Sequence, residues 1–413
     1  MLCAAILLLA AVLRFANFRV VDRSPDEKLW TEFGAHIARE GPAWVTSTAR
    51  AFDRDEDVEF PWPERIGYTC LVGLAMRVSG DTTVRAPEAL STITSLTAVA
   101  LTGVIALEFL EPWTAVPAML FFAVSPLDLA LARRAWQDDV MALVTLLAVW
   151  AFLRHLRSGG RGALAAFFAI AGYGMLVKES GVIAFALGTL GLAWIAWLRS
   201  RRLREPLLVL ALGAVTALCA FAVVVGVTGG WAELRRLYAL SREALAPDDY
   251  LRRYQMGGPG YYVTGLRILQ PVPFLFGAAA ALLAILRVPF LRGSERSRGA
   301  LAALGALVLG FGAVAFGYYS KNMRFLSPIY APTFLLAAAL IAAIAGWVRA
   351  RAPRALARTV IAVIAIAVAA SAALDVRRFD HWFNELEMQD LATPWFTHAA
   401  AGDGADDGAT PAP

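Results

Sequence analysis

Residues 139–204 read DVMALVTLLAVWAFLRHLRSGGRGALAAFFAIAGYGMLVKESGVIAFALGTLGLAWIAWLRSRRLR. Three apolar runs lie in this stretch, at 139–154, 162–177 and 180–198, each close to the roughly 20 residues that cross a bilayer as an α-helix. Their connections differ in kind. The first carries Arg154, Arg157 and Arg161, the second is the pair Lys178-Glu179, and the third run ends on Arg199, Arg201, Arg202 and Arg204. Arginine in every second connection is the mark of cytoplasmic loops. The stretch therefore reads as three membrane helices with the Lys178-Glu179 turn on the outer side.

The same pattern extends in both directions. Further apolar runs at 2–20, 87–108, 114–131, 206–228, 268–287, 300–319, 326–347 and 357–374 bring the expected number of transmembrane helices to about eleven. Two more Arg-rich connections follow the phase: Arg287, Arg292, Arg296 and Arg298, then Arg349, Arg351, Arg354 and Arg358. With these four loops cytoplasmic, the N-terminus is cytoplasmic too, while residues 22–86, 131–139, 229–267 and the tail from Asp375 are extracytoplasmic. Ile66 to Ser79 is too short to span, and counting it would break the phase, so it is expected as a helix at or dipping into the outer interface. The chain is thus expected to be all-α and polytopic, with one transmembrane domain over 1–375, a first outer loop at 22–86, and a short extracytoplasmic tail at 376–413. The last dozen residues, with no apolar period, are expected to be disordered.

Composition supports this. Of 413 residues 59% are hydrophobic and 17% charged, more apolar surface than one water-soluble core could hide. Twelve Trp and 23 Phe suit helices that cross a headgroup layer. The net charge of +5 resides mainly in loop arginines, which reads as topology in an inner (plasma) membrane protein and not as nucleic-acid binding. Cys3, Cys70 and Cys219 are far apart and fit neither a disulfide framework nor a zinc site. Leu2 to Val12 has no basic n-region and no small-residue cleavage site, so it reads as the first helix and not as a signal peptide. No repeat of 20–50 residues is present.

Charged residues at the outer helix ends are the candidates for chemistry. Ser24-Pro25-Asp26-Glu27 opens the first outer loop with a cap and a helix start; Asp26 and Glu27 either complement that helix's positive end or serve a reaction. The second outer loop holds Asp128, Arg133, Arg134, Asp138 and Asp139, readable as interfacial Arg–Asp pairing. Carboxylates in two outer loops at one membrane face also suit deprotonation of an acceptor hydroxyl or amine, or the binding of a divalent cation by Asp26, Glu27 and Asp139. Lys178 and Glu179, and then Lys321 and Arg324, place positive charge on the outer side against the usual bias. Lys178 could simply contact Glu179 and snorkel. Alternatively Lys178, Lys321 and Arg324 form a cationic clamp for a phosphate whose lipid tail lies between helices.

The order of these features resembles the GT-C membrane glycosyltransferases, in the branch of protein O-mannosyltransferases and lipid A aminoarabinose transferases. The resemblance rests on the acidic pair after the first helix, Val84-Arg85-Ala86-Pro87, Ser125-Pro126 followed by Arg134 and Asp139, then Lys178 and Arg324-Phe325-Leu326-Ser327-Pro328, and covers roughly residues 10–345. It implies a GT-C fold and inverting transfer of a sugar from a polyprenyl-phosphate donor to a lipid, glycan or protein acceptor at the extracytoplasmic face. It further implies that Asp26 is the catalytic carboxylate, with Glu27 its partner and Asp139 the second-loop acid, and that Lys178 and Arg324 bind the donor phosphate. Arg134, Asp138, Glu64 and Arg65 are left for acceptor contact or structural support. Where aminoarabinose transferases carry Lys-Pro-Pro, this chain has Phe60-Pro61-Trp62-Pro63-Glu64-Arg65, and it has no sizeable folded domain after the last helix.

The rival reading is a transporter or flippase for a lipid-linked or anionic substrate. One cluster of Asp26, Asp139, Lys178 and Arg324 favours the enzyme, and a row of charges across the bilayer favours transport. No Gly-rich nucleotide loop occurs, in keeping with a lipid-linked donor.

Overall fold

The computed structural model describes residues 1–16, 24–52, 63–244, 258, 260–288, 295–318 and 321–386, and among them there is no strand. The expected disordered end and parts of the outer loops, including 53–62 and 245–257, lie outside the described residues. After α1 (Leu2–Ala16), the segment before α5 contributes α2 (Pro25–Glu40), α3 (Ala43–Ala51) and α4 (Ile66–Ser79). The bundle continues through α5 (Arg85–Phe109), α6 (Ala115–Ala123), α7 (Pro126–Ala132), α8 (Asp138–Ser158), α9 (Arg161–Val177), α10 (Ser180–Ser200) and α11 (Arg204–Thr228). The second half holds α12 (Trp231–Ala244), α13 (Gly260–Leu269), α14 (Pro271–Ile285), α15 (Glu295–Gly317), α16 (Tyr330–Arg351) and α17 (Arg354–Phe379). A 3-10 stretch, Met323–Ile329, leads into α16, and a π-helical turn, Asp380–Glu385, follows α17.

Each expected span falls on a helix, yet length and hydropathy together qualify seven among the described residues, in α5, α8, α10, α11, α15, the segment ending in α16 and the segment starting in α17. Taken as one span, α6 and α7 make eight. Helices α1, α9 and α14 are apolar but only 15, 17 and 15 residues long. The apolar windows of α8 and of the α16 segment are each 61% buried, against 22% for α11 and 17% for the α17 segment. The bundle therefore has a packed centre and a periphery. On that periphery Leu207, Leu218, Phe221, Val363 and Ile366 stand exposed, which water would oppose at about 25 cal/mol per Å² of apolar surface and lipid tails accept. This is a multi-pass membrane protein.

The expected continuous span 114–131 is corrected: α6 and α7 meet at a bend of 58°. Proline at 126 has no N–H to continue α6, so it starts a new helix at N1, and Ser125 caps it by accepting from Asp128 N. The Ser125 hydroxyl also donates to Gln270 Oε1 at 2.8 Å. The bend brings Asp128 into an ion pair with Arg14 of α1, with Ser95 Oγ donating to the same carboxylate at 2.6 Å.

The helices between α1 and α5 are packed onto the bundle. Trp30 and Phe33 of α2, Tyr68, Val72 and Met76 of α4, and Val140, Met141 and Val177 of α8 and α9 form one buried cluster. With 14 residues α4 is about 21 Å long at 1.5 Å per residue, short of a ~30 Å hydrocarbon core. The α9–α10 turn is as tight as backbone allows: a Cβ on Gly181 would stand 2.1 Å from the Gly174 carbonyl oxygen. That closeness fixes Lys178 and Glu179 at the end of two helices. Cys3, Cys70 and Cys219 are free thiols.

Candidate active site

The site is built on the first turn of α2. Ser24 and Glu27 form a reciprocal capping box, with Glu27 N donating to Ser24 Oγ at 3.4 Å and Ser24 N donating to Glu27 Oε2 at 3.1 Å. Glu27 does more than cap. Its buried carboxylate accepts from Arg134 at 2.7 Å and from Ala135 N at 3.0 Å, while Trp136 Nε1 donates to Ser24 Oγ at 3.1 Å. Residues 134–136, between α7 and α8, are thereby held against the start of α2. Asp26, one residue earlier, points elsewhere. Its side chain is 39% exposed, whereas Glu27, Asp128, Asp138 and Asp139 are buried.

Cations surround Asp26. Arg324 donates to Asp26 Oδ2 at 3.0 Å and lies over the Trp136 ring, 5.0 Å from its centroid. Its backbone N–H donates to Asn322 Oδ1, the cap of the 3-10 stretch. Arg65 pairs with Glu179 at 2.7 Å and covers the Trp30 ring at 5.5 Å. Lys178 pairs with Asp138, and its ammonium is 5.0 Å from the centroid of Phe325. Burial pushes the Asp26 carboxyl up, but Arg324, Arg65 and Lys178 together outweigh it and hold the group below the usual carboxylate range.

The sequence candidates separate into two groups. Asp26, Arg324, Lys178, Asp138 and Arg65 gather, with Glu27 and Arg134 forming the buried pair behind them. Asp139 is buried beside Asp128 and Asp138. Lys321 is not in the cluster: it donates to the carbonyls of Ala315 and Phe316 at 3.1 and 2.9 Å and to that of Tyr318, so it caps the end of α15. Its ammonium is consumed by a helix C-terminus, where cations are favoured, and the clamp loses this member. Glu64 accepts from the Tyr238 hydroxyl of α12. Lys178 and Glu179 each have another ion-pair partner, Asp138 for the ammonium and Arg65 for the carboxylate. Asp26, Glu27 and Asp139 do not converge, and among the described residues no three His, Cys, Asp or Glu side chains are placed to hold a metal ion.

Two contributors, Arg14 and Trp136, were not singled out from sequence. Arg14 is buried in α1 and bonded to Asp128, Ser95 and the carbonyls of Ala10 and Ala123; an Arg inside the first apolar run was its signal. Trp136 serves as a platform under both Arg324 and Arg134. Arg65 joins the cationic group around Asp26.

A cavity of about 1010 Å³ lies among α8, α9, α10, α15 and the end of α14. One end is at Met141, Gly174 and Gly181, beside the Lys178 turn, and the wall is mainly apolar. Its far end is marked by Arg157, Arg199 and Arg287.

Residues 66–226, about two-fifths of the chain, match the family described as dolichyl-phosphate-mannose-protein mannosyltransferase. The matched part runs from α4 into α11 and includes Asp139 and Lys178 but not Asp26 or Arg324. No curated protein sequence matches. Among solved structures, ArnT from Cupriavidus metallidurans in the apo state aligns with a TM-score of 0.59 at 17% identity, covering 91% of this chain and 74% of that one. The same protein bound to undecaprenyl phosphate aligns at 0.56 with 18% identity, covering 92% and 74%. The oligosaccharyltransferase AglB from Archaeoglobus fulgidus, in complex with an inhibitory peptide and a dolichol-phosphate, aligns at 0.58 with 12% identity. That alignment covers 92% of this chain and 55% of AglB, so the chain spans just over half of AglB's length. Identities this low speak for the fold, which this chain shares with ArnT and AglB, and over residues 66–226 the chain is similar to the protein mannosyltransferase family.

Proposed function

We propose that the chain transfers a glycosyl group from a polyprenyl-phosphate-linked donor to a hydroxyl or amine acceptor at the extracytoplasmic membrane face. The observation that carries this reading is the half-exposed Asp26 carboxylate bonded to Arg324 within a group of three cations. In the reaction the acceptor's lone pair attacks the anomeric carbon while the bond from that carbon to the phosphate oxygen breaks. The phosphate leaves with the bonding electrons, its charge held by Arg324, Arg65 and Lys178, and Asp26 takes the acceptor's proton. One displacement inverts the anomeric configuration. Undecaprenyl phosphate and dolichol-phosphate, bound by the ArnT and AglB structures, are the models for the donor's lipid, and the mainly apolar cavity that reaches Met141, Gly174 and Gly181 suits such a tail.

The transporter reading is less favoured, because Asp26, Lys178 and Arg324 gather in one group, although Asp139 is buried beside Asp128 and Asp138 and not with them. The direct test incubates the purified chain in vesicles with radiolabelled polyprenyl-phosphate sugars and membrane extract. Label appearing in a lipid, glycan or protein product supports transfer and identifies the acceptor. Label moving into the vesicle lumen with no new product would replace transfer by transport.

The orientation that puts the site outside is part of this proposal, with the transmembrane domain over 1–375 and both site and tail extracytoplasmic. Tags after Arg157 and Arg202 are expected on the cytoplasmic side, and a tag after Pro413 on the outside, by protease protection in inverted vesicles. A protected tag after Pro413 in intact cells, showing a cytoplasmic end, would reverse the placement of the site.

Arg324→Ala is expected to weaken donor use by roughly 1.5–3 kcal/mol, about 10- to 150-fold in apparent donor affinity, for loss of one charge-assisted contact. It also has a pH signature. With Arg324 present, Asp26 stays ionised below the usual carboxylate range, so transfer persists into acid; without it burial is less opposed and the acid limb of kcat/KM moves to higher pH. Wild-type donor affinity together with an unmoved acid limb would remove Arg324 from the clamp. Lys178→Ala is a less clean probe, since it also strips the buried Asp138 of its ion-pair partner.

A further inference from the structure

The turn after α17 reaches back to the loop that carries the site. Arg133, the first residue of that loop, is buried, and its guanidinium forks onto Asn384 Oδ1 at 2.7 Å and the Phe383 carbonyl at 2.8 Å. The Phe379 ring lies under the same guanidinium at 4.9 Å, and Phe379 and Phe383 stack at 5.7 Å, both buried. Asn384 is itself held by its amide, which donates to Asp380 Oδ1 at 2.8 Å. A planar fork engaging two acceptors and stacked on an aromatic face fixes the orientation of an arginine in a way that no lysine can.

The next three residues are tied to the other side: Arg134 and Ala135 to Glu27, and Trp136 to Ser24. Trp136 in turn lies beneath Arg324, the partner of Asp26. The loop is stretched between two anchors, one at each end of the chain. We infer that Arg133 and Asn384 are positioning residues, through which the turn at 380–385 sets the placement of Trp136 and hence of Arg324 and Asp26 for the reaction. This rests on the proposed transfer for its kinetic consequence, though not for its structural one. It assigns a role to the short segment beyond the last membrane helix.

The test compares Arg133→Gln, Asn384→Ala, their combination, and Arg133→Lys in the full chain, reading two quantities. One is hydrogen exchange at the amides of 133–137. The other is the division of any rate loss between kcat and donor KM. Misplacing a reacting group by about 1 Å costs up to ~10²-fold. The expected result is therefore faster exchange confined to 133–137 and the first turn of α2, a roughly 10- to 100-fold lower kcat, and a donor KM raised less than in Arg324→Ala, because Arg324 keeps its charge. The Arg133→Gln and Asn384→Ala effects should not multiply, because both break the same fork, and Arg133→Lys should recover only part of the loss. Normal exchange at 133–137 and normal kcat in Arg133→Gln would overturn the inference. So would a loss spread over exchange throughout the bundle, as a merely structural contact would give. If the wild-type chain transfers no sugar but Arg133→Gln still loosens 133–137, the anchoring stands and the proposed transfer falls.

Discussion

Asp26→Asn is expected to lower turnover by about 10²- to 10⁴-fold while leaving donor affinity largely intact. That range is what a positioned general base contributes, and the substitution keeps shape and volume while removing charge. Of Asp26, Glu27, Asp128, Asp138 and Asp139, Asp26 is the exposed one, so an acceptor can reach it without opening the bundle. Donor binding should survive because Arg324, Arg65 and Lys178 keep their charges. The loss should appear in kcat measured at saturating donor in single-turnover experiments. Asp139→Asn and Glu27→Gln are expected to act differently, through the placement of the α7–α8 loop, since both carboxylates are buried, Glu27 against Arg134 and Ala135 N and Asp139 beside Asp128 and Asp138. Near-normal turnover in well-folded Asp26→Asn protein would move the base to one of those buried acids and require the site to open.

The second large effect is on stability. Arg134→Ala removes the guanidinium facing the fully buried Glu27, at 2.7 Å with side chains 6% and 0% exposed. Breaking a buried ion pair from one side costs roughly 3–5 kcal/mol, because the remaining charge keeps its desolvation penalty and loses its compensation. The expected result is poor yield of folded protein and a clearly lower thermal midpoint in detergent. The combination of Arg134→Met with Glu27→Gln should recover much of it, since two neutral groups of similar size carry no buried charge. An Arg134→Ala protein as stable as wild type would mean that this pair is not what holds α2 to the loop.

How much of this was legible in the chain can be judged element by element. Apolar runs gave the helices because lipid as solvent demands long segments with every backbone group bonded internally, a requirement written residue by residue. The α2 start was equally local, since Ser24 and Glu27 are three positions apart and satisfy each other. The bend at Ser125-Pro126 was also local but escaped, because the apolar run continues through it and hydropathy averages over a proline. The count of eleven spans is not confirmed, because α1, α9 and α14 are apolar but shorter than the segments that qualify by length, and hydropathy alone places no helix end.

The sequence by itself determined the membrane character, the approximate helices, the first-turn cap of α2, and which charged residues stood at helix ends as candidates. Only the tertiary structure decided who partners whom. Asp26 meets Arg324 across 298 positions and Glu27 meets Arg134 across 107, while Lys178 pairs with Asp138 and Lys321 turns back onto its own helix end. The physical reason is that a charge buried in low dielectric must be compensated within a few ångströms, and that condition names a distance but no residue. Which group lies at that distance follows from the bend at Ser125-Pro126, the α9–α10 contact at Gly174 and Gly181, and the return of the segment after α17, all of them outcomes of packing between elements far apart in the chain.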